Sequence, residues 1–173
     1  MTVDRAPDVL GEVVAYRAWR VVGSVQLPML SSATMRGFIW HPQRWTVATC
    51  GGEEVCRSSK DDAAGPGVPG EMCSCGMYAA RDREHLIEMG YNHYHDDAHP
   101  VFIGEVGLAG KVIPGTQGWR AEKGRIRKLF VPMHLVEYVA PLERLYGVTV
   151  ELTNTFESDP ERLAKLLSQI EGR

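Results

Sequence analysis

All four cysteines of this 173-residue chain lie in one window, at Cys50, Cys56, Cys73 and Cys75. The stretch inside it, Gly51 to Gly70, is rich in glycine, proline and acidic side chains and offers almost nothing to bury. A segment of that composition does not order itself. A chain of this length buries a full core without cross-links, so the thiols are not needed for folding in general. They can, however, close this one loop. Cys73-Ser74-Cys75 brings two sulfurs to one ion from a tight turn, and Gly76 frees the backbone to aim an amide at a sulfur. The expectation is a structural zinc site with Cys50, Cys56, Cys73 and Cys75 as tetrahedral ligands, closing a loop over 50–76. Binding would offset the entropy of ordering that loop. Three other readings of the thiols stand beside it: unconnected reduced cysteines, disulfides and an iron–sulfur cluster. Cys56 is the ligand most open to exchange, with His41 or a later histidine as its replacement.

Compartment bears on that choice. The first twenty residues hold no basic segment followed by an apolar run, so no secretory leader is expected. No run of apolar residues is long enough to cross a membrane as a helix. A reducing cytoplasm is the expected setting, where clustered thiols serve as ligands or redox groups more often than as disulfides. The net charge of −3 argues against nucleic-acid binding by bulk charge, while leaving room for a local basic patch.

The rest of the chain reads as one domain of the α+β class, 1–173: antiparallel strands, one middle helix and two C-terminal helices. "GEVVAYRAWRVVG" is a strand with Val13, Ala15 and Arg17 on one face and Val14, Tyr16 and Ala18 on the other. "VQLPML" is a short edge strand, and Phe38–Trp40 and Trp45–Ala48 form two more around His41-Pro42. "YAARDREHLIEMG" reads as the middle helix, ended by Gly90. "VFIGEVGLAGKVI" and "GWRAEKGRIRKLFV", split by "PGTQG", make an antiparallel hairpin. The segment 131–173 is assigned to helix: "MHLVEYVAPLERLYG", kinked or divided at Pro141, then "DPERLAKLLSQI" with a leucine stripe. Exposed, that stripe would pair two copies of the chain or dock on a partner. Gly-Glu-Val recurs at Gly11 and Gly104, which raises the prospect that the two strands pair.

Two further constellations bear on chemistry. "NHYHDDAHP" presents His93, His95, Asp97 and His99, alternate residues able to face one metal. A metal-dependent hydrolase would use such groups with bound water. The spacing misses the His-x-His-x-Asp-His box of metallo-β-lactamase-like hydrolases by one residue, Ala98, and an exposed polar loop is the simpler reading. The basic run Arg120, Lys123, Arg125, Arg127 and Lys128 could contact nucleic acid or a partner, with Arg125 and Arg127 on one strand face. A solvated face is its plainer explanation. The four tryptophans are expected in or near the core.

Read in order, "GEVVAYRAW", "ATC…CSCGMYAA" and "GEVGLAGKV…GWRAE" resemble a set of small uncharacterised proteins of actinobacteria and their phages. The similarity spans Gly11 to Leu129, and Cys73 to Ala79 is its most specific part. In that set a histidine often stands between the first cysteine and the Cys-x-Cys pair. Here Cys56 occupies the interval, which fits a Cys-for-His exchange at a metal site or the loss of a ligand. The resemblance implies the site and the fold and carries no activity. The expected function is a zinc-stabilised, non-enzymatic binding or regulatory module docking on a host or self protein, such as a phage accessory factor. The hydrolase and the nucleic-acid binder are the alternatives.

Overall fold

A computed structural model describes residues 11–35, 37–50, 68–70, 73–91 and 99–154. Its frame is two long strands joined by the expected hairpin, β5 (Val101–Pro114) and β6 (Gly118–Pro132). Alternation of β-branched with polar residues forms them, and Gly115 N–H donates to Gly118 C=O (2.8 Å) to close the turn. The first strand, β1 (Val13–Ser24), lies antiparallel to β5, from Val13 opposite Leu108 to Arg20 opposite Val101. The two Gly-Glu-Val strands do pair with one another.

β2 (Leu27–Ser32) folds back on β1 through the turn at Val25-Gln26. The far edge of β6 is shared by three short strands: β4 (Met77–Ala80) at its start, β3 (Thr46–Val47) in its middle and β7 (Thr149–Thr153) at its end. Because β4 also bridges β1, at Tyr16 opposite Ala80, the strands β1, β5, β6 and β4 close into a ring. The interior of that ring is filled by side chains, as a small closed sheet requires. Trp19 and Trp40 are fully buried there and meet edge to face, with ring centroids 5.4 Å apart. Phe102, Val106, Leu108 and Leu129 complete the centre, while Trp45 and Trp119 are only half-buried.

A 3-10 turn (Met133–Tyr138) and helix α2 (Val139–Tyr146) cover one end. Tyr146, buried beneath them, accepts from Leu30 N–H (2.7 Å) and donates to Trp40 C=O (3.3 Å), tying the helix to β2 and the tryptophan core. Helix α1 (Arg83–Glu88) packs Leu86 against Ala18, Ala80, Ile103 and Phe130 on the outer face.

The expected α+β class is thereby corrected: the described chain is mainly sheet, seven strands of mixed direction with little helix. The middle helix is only six residues long and starts at Asp82, whose Oδ1 caps His85 N–H (2.8 Å). Tyr78 to Ala80, expected within it, is instead part of the strand Met77–Ala80, paired with Gly118 to Ala121. Tertiary pairing overrides the helix preference of the alanines, and Gly118 admits the close approach of Ala79 C=O, 2.0 Å from where a Cβ would stand. The 131–173 segment is not wholly helical either. β7 follows α2 and runs parallel to β6, a direction the intervening helix makes reachable. The leucine stripe near the C-terminus falls outside the described residues. Among the described residues no helix is long and apolar enough to cross a membrane.

Candidate metal centre

Two segments distant in sequence meet because both lean on β6. Cys50 leaves β3, which pairs Thr46 with Gly124 and Val47 with Lys123, and Ala48 N–H continues the ladder to Glu122 C=O (2.8 Å). Cys73 and Cys75 lead into β4, which pairs with the preceding stretch of the same strand. The Sγ atoms of Cys50, Cys73 and Cys75 all lie within 4.8 Å of one another, and those of Cys50 and Cys73 are 3.6 Å apart. An S–S bond measures about 2.05 Å, so the Cys50–Cys73 pair is not a disulfide. Two sulfurs on one tetrahedral ion with metal–sulfur bonds of about 2.3 Å stand about 3.8 Å apart. The spacing suits ligands to a shared ion as well as a thiol–thiol contact.

The surroundings hold this arrangement. Gly70 N–H donates to Cys75 Sγ (3.4 Å), the amide-to-sulfur contact that stabilises thiolate ligands. Cys73 N–H donates to Gly70 C=O (3.2 Å), folding the approach into a turn. Arg120 Nη1 donates to Cys75 C=O (3.2 Å), and Tyr78 O–H donates to Ser74 C=O (2.6 Å). Gly76 has φ of 122°, a left-handed conformation that side chains resist, and a Cβ there would come within 2.7 Å of Arg120 Cγ. All three cysteines are half-buried. Three sulfurs so placed can hold a metal ion.

The other expected ligands are not part of this cluster. Cys56 lies outside the described residues, as do His93, His95 and Asp97. His99 is exposed, just ahead of β5, and His41 is exposed and does not join the three sulfurs.

The basic run is engaged at every member. Arg120 holds the Cys75 carbonyl, and Lys123 and Arg125 sit over the Trp45 ring at 5.4 and 4.9 Å. Arg125 also pairs with Glu12 (2.6 Å), Arg127 reaches the same carboxylate (3.5 Å), and Lys128 pairs with Glu151 (2.5 Å). The Glu12 carboxyl is held below the usual range, chiefly by the hydrogen bond from Arg125. Gly107 makes room for it, since a Cβ at that position would overlap the Glu12 carboxylate.

Beside the metal centre, β4, α1 and the start of β6 border an open cleft of about 450 Å³. Its wall includes Tyr78 and Arg120, the two side chains that bond the backbone of the cysteine turn. Arg17 also lines it. That guanidinium spans the gap between β2 and β4, donating to Ser32 Oγ (2.7 Å) and to Tyr78 C=O, and stacks on Trp40 at 5.2 Å. Burial pulls it down to about 10. Sequence reasoning did not single out Arg17 for function. The available signal was an arginine in step with Ala15 and Trp19 on the inward face of an apolar strand.

Comparison of the chain with family models, curated proteins and solved structures gave no match.

Proposed function

We propose that this protein is a zinc-stabilised, non-enzymatic binding module. Cys50, Cys73 and Cys75 are three ligands of the ion, and Cys56 completes the tetrahedron from the loop they enclose. The convergence of three sulfurs from both ends of the 50–76 loop carries the reading. Thiolate ligands select zinc among common divalent ions in a reducing compartment. Four protein ligands leave no open position for water, so the ion's role is to pin the loop and β4 onto β6. β4 is in turn a wall of the cleft, so the metal sets the shape of the binding surface. Such a module would dock on a protein of the host or of its own kind, as a phage accessory factor does.

Neither alternative draws on a specific contact. The hydrolase depends on a segment of which only His99 is described, and the basic run is already hydrogen-bonded, ion-paired or stacked at each residue.

Native-state hydrogen exchange with and without a chelator tests the proposal. Removing the ion should raise exchange in residues 48–50 and 73–80 while the β5–β6 hairpin keeps its protection. Uniform exchange in both conditions would refute it.

A further inference from the structure

The cleft beside the metal centre has a charge character unlike that of the chain. The chain carries a net charge of −3, yet the cleft is lined by Arg17, Arg120 and His85 and by no aspartate or glutamate among the described residues. Thr34, Thr116 and Gln117 add uncharged polar groups, and most of the remaining wall is apolar or aromatic. Tyr16, Leu86, Tyr91 and Trp119 line it, and Tyr78 and Met89 at its rim are about half exposed. Its volume falls in the range of small-molecule sites.

Arg17 is the unusual member. Its two acceptors, Ser32 Oγ and Tyr78 C=O, are neutral, and among the described residues neither it nor Arg120 forms an ion pair. A guanidinium carries five N–H donors, so three remain, one of them the buried Nε with no partner. Burial lowers this group's proton affinity, and an interaction with Tyr91 offsets part of that. Bridging the β2–β4 gap and stacking on Trp40 account for two of its donors and one face. The remaining donors of the cation stand at the border of an open cleft.

We propose that the cleft binds a small apolar or aromatic anion, its negative group facing Arg17 and its body lying along Tyr78, Met89 and Trp119. The inference rests on reading the chain as a binding module and names the chemistry of what it binds. Carboxylate is the natural head group, since its two oxygens match the planar fork of an arginine.

The test uses the full chain with two fluorescent probes of nearly the same shape: anilinonaphthalene sulfonate and its uncharged parent, phenylnaphthylamine. The anion should bind saturably at one site per chain, and more tightly than the neutral probe. Arg17→Gln should weaken the anion about tenfold, the value of a charged hydrogen bond, and leave the neutral probe unchanged. Because Arg17 also bridges two strands, Met89→Glu serves as the second variant. Met89 is exposed, so folding is spared; loss of its apolar wall weakens both probes, and the new carboxylate at the rim should weaken the anion several-fold more than the neutral probe. Absence of saturable binding, equal binding of both probes, or a Met89→Glu variant in which the anion loses no more affinity than the neutral probe would overturn the proposal. Zinc content measured on the same preparation separates the two readings. Cleft binding without zinc defeats only the metal site, and zinc without cleft binding defeats only this inference.

Discussion

The sulfurs of Cys50 and Cys73 stand 3.6 Å apart, although the two residues are 23 positions apart in the sequence. Neither residue reaches the other by local turn geometry. β3 and β4 hydrogen-bond to successive stretches of one edge of β6, and that shared edge delivers the two thiols to one point. The loop between them is rich in glycine, proline and acidic residues, a composition that does not order itself, and a bound ion would supply the ordering.

Replacing a ligand should therefore cost far more than an ordinary polar substitution. Cys73→Ser is expected to lower stability by about 3 kcal/mol or more through loss of the ion. Calorimetry checks this. The wild type should melt earlier in chelator, and the variant should melt at the same temperature with or without it.

Gly76→Ala tests the turn rather than the ligands. Its left-handed backbone and the closeness of Arg120 leave no room for a methyl group. A loss of about 1–3 kcal/mol is expected in denaturant titration, together with weaker metal retention against a competing chelator.

Tyr146 gives an alkaline signature. Burial pushes its hydroxyl up from 10.0 to about 12. The unfolded tyrosine ionises first, so the folded state holds its proton longer and loses relative stability as pH rises from 10 toward 12. Tyr146→Phe should remove that part of the alkaline decline. It should also destabilise the protein by about 1–3 kcal/mol at neutral pH, because Leu30 N–H loses its buried acceptor. Stability measured against pH for both proteins decides the point.

Glu12 gives the acid counterpart. Its carboxyl is lowered below 4.5 by Arg125, so its contribution is present at neutral pH and fades as pH falls through the folded value. The pair reaches the surface through Arg125, and Glu12→Gln should cost only about 0.5 kcal/mol, less in high salt. Below the folded value the variant and the wild type should be equally stable in urea.

Much of the sheet is legible in the sequence. β1, β5 and β6 are long, rich in Val, Ile and Trp, and bounded by glycine turns, so their pattern survives any tertiary context. Local preference fails where tertiary contact overrides it. Ala79 and Ala80 favour helix, but pairing with Trp119 and Gly118 on β6 makes them strand. Thr149 to Thr153 is too short to announce itself and becomes a strand only because the end of β6 offers a free edge. The Cys73–Cys75 pair is a local feature and could be read directly. The approach of Cys50 is set by non-local pairing and could only be inferred. Arg17 looked like an ordinary strand residue, since nothing local shows that it faces a gap in the sheet.

The central claim is that a sulfur-bound ion organises the 50–76 loop. Elemental analysis of the purified chain, joined to X-ray absorption at the metal edge, addresses it most directly. The account predicts one zinc per chain in a shell of sulfur neighbours at about 2.3 Å. A correctly folded protein that carries no metal, with Cys50, Cys73 and Cys75 all open to alkylation, would contradict it.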